Sequence, residues 1–192
     1  MKEINLNPII ARVMDGDNDA FQELYCVTKD DAYRLIVYLA SNKQDASDIM
    51  SEVYLELYRV IRRYDHNQSF SSWLNGIIIR QVRNWKRKGW RRLRLQDRVK
   101  QYCMEDAHYD LDNHLYNLYA KEIVLPAVEQ LSHKLKEVIV LRYARDCSIE
   151  EIAMILNIPV GTVKSRHHLA LKQLRSHMDK QAGKKGATTY VH

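Results

Sequence analysis

The chain has 192 residues, enough for one large domain or two small ones, and its three cysteines, Cys26, Cys103 and Cys147, lack the paired spacings of a zinc site. They read as free thiols of a reducing compartment, which excludes a disulfide-built secreted domain, and no apolar run is long enough to cross a bilayer, so a cytoplasmic protein is expected. Lys and Arg number 30 against 24 Asp and Glu, and the formal charge of +6 points to an acidic partner such as nucleic acid or an anionic surface.

Six Gly, three Pro and no sustained alternation of apolar and polar residues predict a mostly helical protein, and a polar connector divides it into two blocks, so the expected fold is all-α with two small helical domains. The first block is 8–92. Its apolar residues recur at helical spacing from Asp19 to Tyr25 and from Ala32 to Ala40, including Phe21, Leu24, Leu35, Ile36 and Leu39. A longer helix is predicted from Ala46 to Tyr64, with Ile49, Val53, Leu57, Val60 and Tyr64 on its buried stripe. Another stripe of that helix gathers Asp48, Ser51, Glu52, Leu55 and Arg59. Acids around an exposed leucine suit a docking surface, and a solvated face has the same composition.

The loop YDHNQSF, 64–70, ends this helix, and from Ser72 a fourth carries Trp73, Leu74, Ile77, Ile78, Val82 and Trp85 beside Arg80, Arg83, Asn84, Arg87 and Lys88. Aromatics interleaved with arginines suit single-stranded or distorted DNA, because rings stack on bases while guanidinium groups meet phosphates. Trp73, next to Phe70, reads instead as core. Ten basic residues lie between Arg80 and Lys100, opposed only by Asp97. A solvated charge run or a basic helix on a membrane surface has the same local charge.

Residues 93–114 lack a clean period, and their basic start and acidic end, with Glu105, Asp106, Asp110 and Asp112, read as a flexible linker. The second block is 115–178. Leu118, Ile123, Leu125, Val128 and Leu131 mark one helix interrupted near Pro126, and Ser132 caps another bearing Leu135, Val138, Ile139 and Leu141. Ser148 with Glu151 then forms a capping box, Asn157 and Pro159 end the short helix it opens, and Val160-Gly161-Thr162 starts the next. That punctuation predicts a helix-turn-helix. Val163, His167, Ala170 and Leu174 share its inward face, leaving Lys164, Ser165, His168 and Lys172 outward. Residues near the start of such a second helix meet base edges, while basic neighbours hold phosphates; an ordinary helical hairpin would solvate the same face. The tail, 179–192, is small and polar and reads as disordered.

The run LSHKLKEVIVLRYARDCSIEEIAMILNIPVGTVKSRHHLALKQLR resembles region 4 of a bacterial sigma factor, and DASDIMSEVYLELYRVIRRYD followed by FSSWLNGIIIRQVRNWKRKGWRR resembles region 2 of the same sigma-70 family. The two stand in family order, and the short linker leaves no room for region 3, a layout that resembles the extracytoplasmic-function subgroup. The resemblance implies a non-catalytic protein that joins core RNA polymerase, directs it to a promoter class and helps open the duplex, with an anti-sigma factor as controlling partner. No cofactor, metal or small-molecule substrate is implied. Asp48, Ser51, Glu52, Leu55 and Arg59 match the surface for the beta-prime clamp helices; the beta flap is the other polymerase partner. Asp65, His66, Asn67, Gln68 and Ser69 match the loop that captures a flipped minus-10 base, and Arg80, Arg83, Asn84 and Arg87 are the candidate strand contacts. Thr162, Lys164, Ser165, Arg166, His168 and Lys172 match the minus-35 recognition helix.

This chain departs from the family pattern in places. Ser51 stands for a usual Gln, Arg80 for Asn, Asn84 for Asp, His167 for an apolar residue and Leu169 for an Arg that often contacts DNA. Two other readings were open at the level of sequence. A stand-alone helix-turn-helix regulator would need a sensor or dimerisation domain in place of the first block, and a metal-dependent nuclease would have to use Asp45, Asp48 and Glu52.

Overall fold

Two helix starts show how local chemistry sets the fold. The Asp17 carboxylate accepts from the amides of Asp19 and Ala20, opening one helix, and the Ser148 hydroxyl accepts from the Glu151 amide while the Glu151 carboxylate accepts from Ser148 N at 2.7 Å. The computed structural model describes residues 5–40, 42–96 and 124–187, with backbone alone for 90–96 and 180–187. Its helices are α1 (Asn7–Met14), α2 (Asn18–Leu39), α3 (Ala46–Val60), α4 (Phe70–Gln96), α5 (Leu125–Glu129), α6 (His133–Ala144), α7 (Ile149–Leu156) and α8 (Val160–Ala187), with short 3-10 turns at Lys43–Asp45 and Ile61–Arg63. Among the described residues there is no strand.

The helices form two compact units, α1–α4 and α5–α8. In the first, Ile10, Leu24, Leu35, Ile36, Leu39, Ile49, Leu57, Ile77 and Ile78 are fully buried. Burying such a side chain gains about 1.5–3 kcal/mol, which drives α1, α3 and α4 against α2 or each other. α2 is continuous where the sequence reading placed two separate stretches. The link is Thr28, whose hydroxyl donates to Leu24 O at 2.7 Å and meets the Tyr54 hydroxyl at 2.7 Å, so a polar residue sits satisfied on the apolar stripe. Burial pushes the Tyr54 phenol up to about 12, leaving it a neutral hydrogen-bonding group.

Several expected boundaries shift. α3 ends at Val60, which is half-buried, and a 3-10 turn carries the chain to the buried Tyr64. α4 starts at Phe70, two residues early, and continues to Gln96, so the first residues of the expected linker are helical. In the second unit Pro126 lies in the opening turn of α5, where its missing amide hydrogen costs nothing; the stretch before Val124, on which the expected interruption near Pro126 depends, lies outside the described residues. α8 runs on to Ala187, into the span expected to be a disordered tail. Cys103, the acidic cluster at 105–112, Leu118 and Ile123 lie outside the described residues.

The second core joins Val128, Leu131, Leu135, Ile139 and Ala170, with Leu171 and Leu174 packed on its edge. α6 is buried on every side from Leu135 to Leu141, including Lys136 and Glu137, and His133 Nε2 lies 3.1 Å from a Glu137 carboxylate oxygen. Asn157, in the left-handed conformation at φ 53°, ends α7 and returns its amide to Ala153 O and Met154 O.

Candidate nucleic-acid and partner interfaces

On α3, the positions that bury Ile49, Val53 and Leu57 turn Asp48, Ser51, Leu55 and Arg59 to solvent, with Glu52 beside them at 43% side-chain exposure. Leu55 is 55% exposed, a large apolar group in the middle of a charged stripe. The Ser51 hydroxyl donates to Ser47 O at 3.1 Å and so is engaged by its own helix. Arg59 lies 3.9 Å from Glu56, and Glu52 lies 3.8 Å from Lys88 of α4. The next turn beyond Leu55 exposes Tyr58, whose ring stands edge-on to Phe21 at 5.1 Å.

The loop from Asp65 to Ser69 is exposed at all five positions, yet its base is fixed. Asp65 accepts from the Asn67 amide at 2.9 Å, an Asx turn, and the Tyr64 hydroxyl donates to Gln68 O at 2.6 Å. Below it, Tyr64 packs on His66, Phe70 and Trp73 with centroids 5.2, 5.4 and 5.1 Å away. Burial, with the Asp65 charge second, raises the Tyr64 phenol, so it stays a donor at neutral pH. Trp73, expected as core, is half-buried, one side closing this cluster and the other reaching solvent. The result is an open polar loop on a rigid aromatic floor.

Along α4, Arg80, Arg83, Asn84 and Arg87 share a stripe by their spacing. Arg80 and Arg87 are exposed, Arg83 and Asn84 half-buried, and the Arg87 guanidinium donates to the Asn84 side-chain oxygen. The buried Ile78, Ile79 and Val82 fix the rotation of the helix that presents them.

On α8, Lys164, Ser165, His168 and Lys172 are exposed, while Thr162 and Arg166 flank them half-buried. Val163 and Ala170 are fully buried beneath. Ser165 donates to Thr162 O at 3.0 Å, and Gly161 is exposed at the start of the helix with open space where a Cβ would stand. His167 is half-buried and does not enter the core: its Nε2 is 3.1 Å from the Tyr143 hydroxyl, and the two rings stack at 5.8 Å. Burial first, then the Arg142 and His168 charges, lower the imidazole pKa below its ordinary value. Leu169 is 46% exposed, so an apolar side chain borders the cationic face.

Sequence reasoning missed three of these features. The Tyr64 hydroxyl as the pin of the loop depends on an irregular turn that has no period, and Lys88 as partner of Glu52 and Tyr143 as partner of His167 depend on packing between elements. Among the described residues no three His, Cys, Asp or Glu side chains converge as a metal site would require, and no helix is long and apolar enough to cross a membrane.

Comparison with known proteins matches residues 24–92 to the family described as sigma-70 region 2 and residues 121–174 to sigma-70 region 4. The chain is 32% identical over 190 residues to the ECF RNA polymerase sigma factor SigW of Bacillus subtilis, covering 92% of this chain and 98% of that protein. It is 30% identical over 169 residues to the ECF RNA polymerase sigma-E factor of Haemophilus influenzae, covering 82% and 87%. Its fold is similar to the sigma factor RpoE crystallised with the anti-sigma factor NepR from Bartonella quintana, with TM-score 0.66 and 20% identity over 83% of this chain and 96% of that one. It is also similar to CnrH in complex with the cytosolic domain of CnrY, with TM-score 0.63 and 19% identity over 90% and 96%.

Proposed function

The chain belongs to the sigma-70 family of bacterial RNA polymerase sigma factors, in its extracytoplasmic-function group, and from that premise we propose which of its surfaces do the work. As a sigma factor it binds core RNA polymerase and directs promoter-specific initiation. The Asp48, Ser51, Glu52, Leu55 and Arg59 face takes the beta-prime clamp helices. The loop of Asp65, His66, Asn67, Gln68 and Ser69 takes a flipped minus-10 base, while Arg80, Arg83, Asn84 and Arg87 hold the separating strands. Flipping costs a few kcal/mol of lost stacking and pairing, which the aromatic floor and the cationic stripe together offset. Thr162, Lys164, Ser165, Arg166, His168 and Lys172 read the minus-35 element from the major groove.

The observation that carries this assignment is the α3–α4 hairpin. It displays an acidic face with a bare leucine on one helix, a cationic stripe on the other and an ordered, exposed polar loop at the bend. A stand-alone regulator has no use for that combination. On this reading the first block, extended by α4 to Gln96, is the polymerase and minus-10 domain, the second, extended by α8 to Ala187, is the minus-35 domain, and the chain between them is the linker. The modest cationic face at the start of α8, with Lys164, Arg166 and Lys172, fits a module tethered to polymerase, since effective concentration replaces intrinsic affinity.

An anti-sigma factor, the class of protein seen with RpoE, is the proposed controlling partner. By covering the docking face it would keep polymerase off, and the protein acts where polymerase is, in the cytoplasm. It catalyses no reaction itself.

Run-off transcription with core polymerase on a genomic promoter library tests the whole reading; promoter-specific transcripts that depend on this protein are the expected result. Asp48→Lys with Glu52→Lys should abolish core affinity, and unchanged affinity would remove the docking assignment. Lys164→Ala with Arg166→Ala should weaken footprints over the upstream element alone.

A further inference from the structure

Glu52 and Lys88 belong to different parts of the machinery, yet they meet. Glu52 stands on the docking face of α3, and Lys88 stands on α4 four residues beyond Asn84 and eight beyond Arg80, at the end of the strand-contacting stripe. Their Oε1 and Nζ atoms are 3.8 Å apart, with side chains 43% and 59% exposed. Nothing in the helix periods requires this contact; the α3–α4 packing makes it.

We propose that this ion pair is competed away when polymerase docks, so that Lys88 passes from the docking carboxylate to the promoter strand. The proposal rests on the assignment of Glu52 to the polymerase surface. A basic group arriving from the clamp helices takes the Glu52 carboxylate and brings a like charge toward the Lys88 ammonium. The ammonium, on a flexible four-carbon stem, then swings to the phosphates that follow Arg80 and Arg87 along α4. In the free protein the carboxylate neutralises that cation beside the strand path. Asn84, the neighbouring candidate contact, is likewise held within the helix by Arg87.

Thermodynamic linkage makes the effect reciprocal: whatever docking does for strand affinity, strand binding does for docking. The size follows from exposure. A solvated pair of this kind is weak, which is the range a competed contact needs, and its loss changes an equilibrium by about two- to fivefold. Added salt screens it further.

The test is a double-mutant cycle on the full chain, using Lys88→Gln, Glu52→Gln and both, with affinity for core polymerase measured in the absence of DNA. A pure DNA-contact role for Lys88 would leave that quantity unmoved. Lys88→Gln is expected to tighten core binding about two- to fivefold in the Glu52 background and not at all in the Glu52→Gln background. In the reverse direction, Glu52→Gln should tighten binding of a single-stranded minus-10 oligonucleotide to the polymerase-free protein by a similar factor, and only while Lys88 is present. If Lys88→Gln has no effect, or the same effect in both backgrounds, while Glu52→Gln weakens core binding, the competition is overturned and the docking face stands. If Glu52→Gln leaves core affinity unchanged, the docking face falls and the competition with it.

Discussion

Tyr64→Phe removes one oxygen atom from beneath the 65–69 loop, to which we assign the minus-10 base, and leaves everything else in place. The phenol donates to Gln68 O at 2.6 Å, while the ring is held by His66, Phe70 and Trp73 at 5.1–5.4 Å between centroids. Phenylalanine keeps those ring contacts. The freed Gln68 carbonyl lies in an exposed loop and can take water, so the loss is that of a net hydrogen bond, about 0.5–1.5 kcal/mol, with no further desolvation penalty. That lowers the ordering equilibrium constant of the loop by about two- to tenfold, which is the upper limit of the effect on its population. Holoenzyme affinity for a single-stranded minus-10 oligonucleotide and the permanganate reactivity of the opened promoter should fall, by up to that factor. Core affinity should stay as it was, because Asp48, Ser51 and Leu55 lie on α3 and touch neither group. Unchanged promoter opening, or a parallel drop in core affinity, would refute the assignment of Tyr64 as the pin of the loop.

Three other perturbations probe the second unit. Ser148→Ala deletes half of the capping box and should cost about 1 kcal/mol in urea unfolding, with weaker minus-35 protection because α7 supports α8. Gly161→Ala should leave thermal stability unchanged or slightly raised, since no atom lies within 4 Å of the added Cβ; a clear loss of stability would show that the start of α8 is wrongly placed. The lowered pKa of His167 means that the unfolded chain binds more protons than the folded one as pH falls through the ordinary value of 6.5. Stability is therefore full above that pH and declines below it. Denaturant unfolding at pH 7.5 and 5.5 should show a smaller decline for His167→Leu than for the parent chain.

How much of this was legible in the sequence differs by element. The two helices and the turn of the helix-turn-helix were readable almost to the residue up to the start of α8, because their signals are local: a capping box at Ser148, Asn157 and Pro159 at the turn, and Val163, His167 and Ala170 spaced by four and three on one face. The exposed stripe of α3 was readable for the same reason, since a 3.6-residue period that buries Ile49, Val53 and Leu57 must expose Asp48, Ser51 and Leu55. α2 was read as two pieces because Thr28 breaks its apolar pattern, and the pattern is repaired only by the Tyr54 hydroxyl, 26 residues away. Trp73 was read as core, but its neighbours Tyr64 and Phe70 cover one side of the indole and leave the other at the surface.

By itself the sequence determined the all-α class, the order of the two blocks, the helix ends that depend on neighbouring side chains, and the identity of the faces. All of these follow from interactions within about four residues along the chain, where spacing is geometry. Tertiary structure alone decided which polar tips find partners across elements: Thr28 with Tyr54, Tyr143 with His167, and Glu52 with Lys88. Side chains from separate helices meet according to how two cylinders are rotated and offset. That rotation is set by the whole buried core of Ile49, Leu57, Ile77 and Ile78, and no single period in the chain carries it.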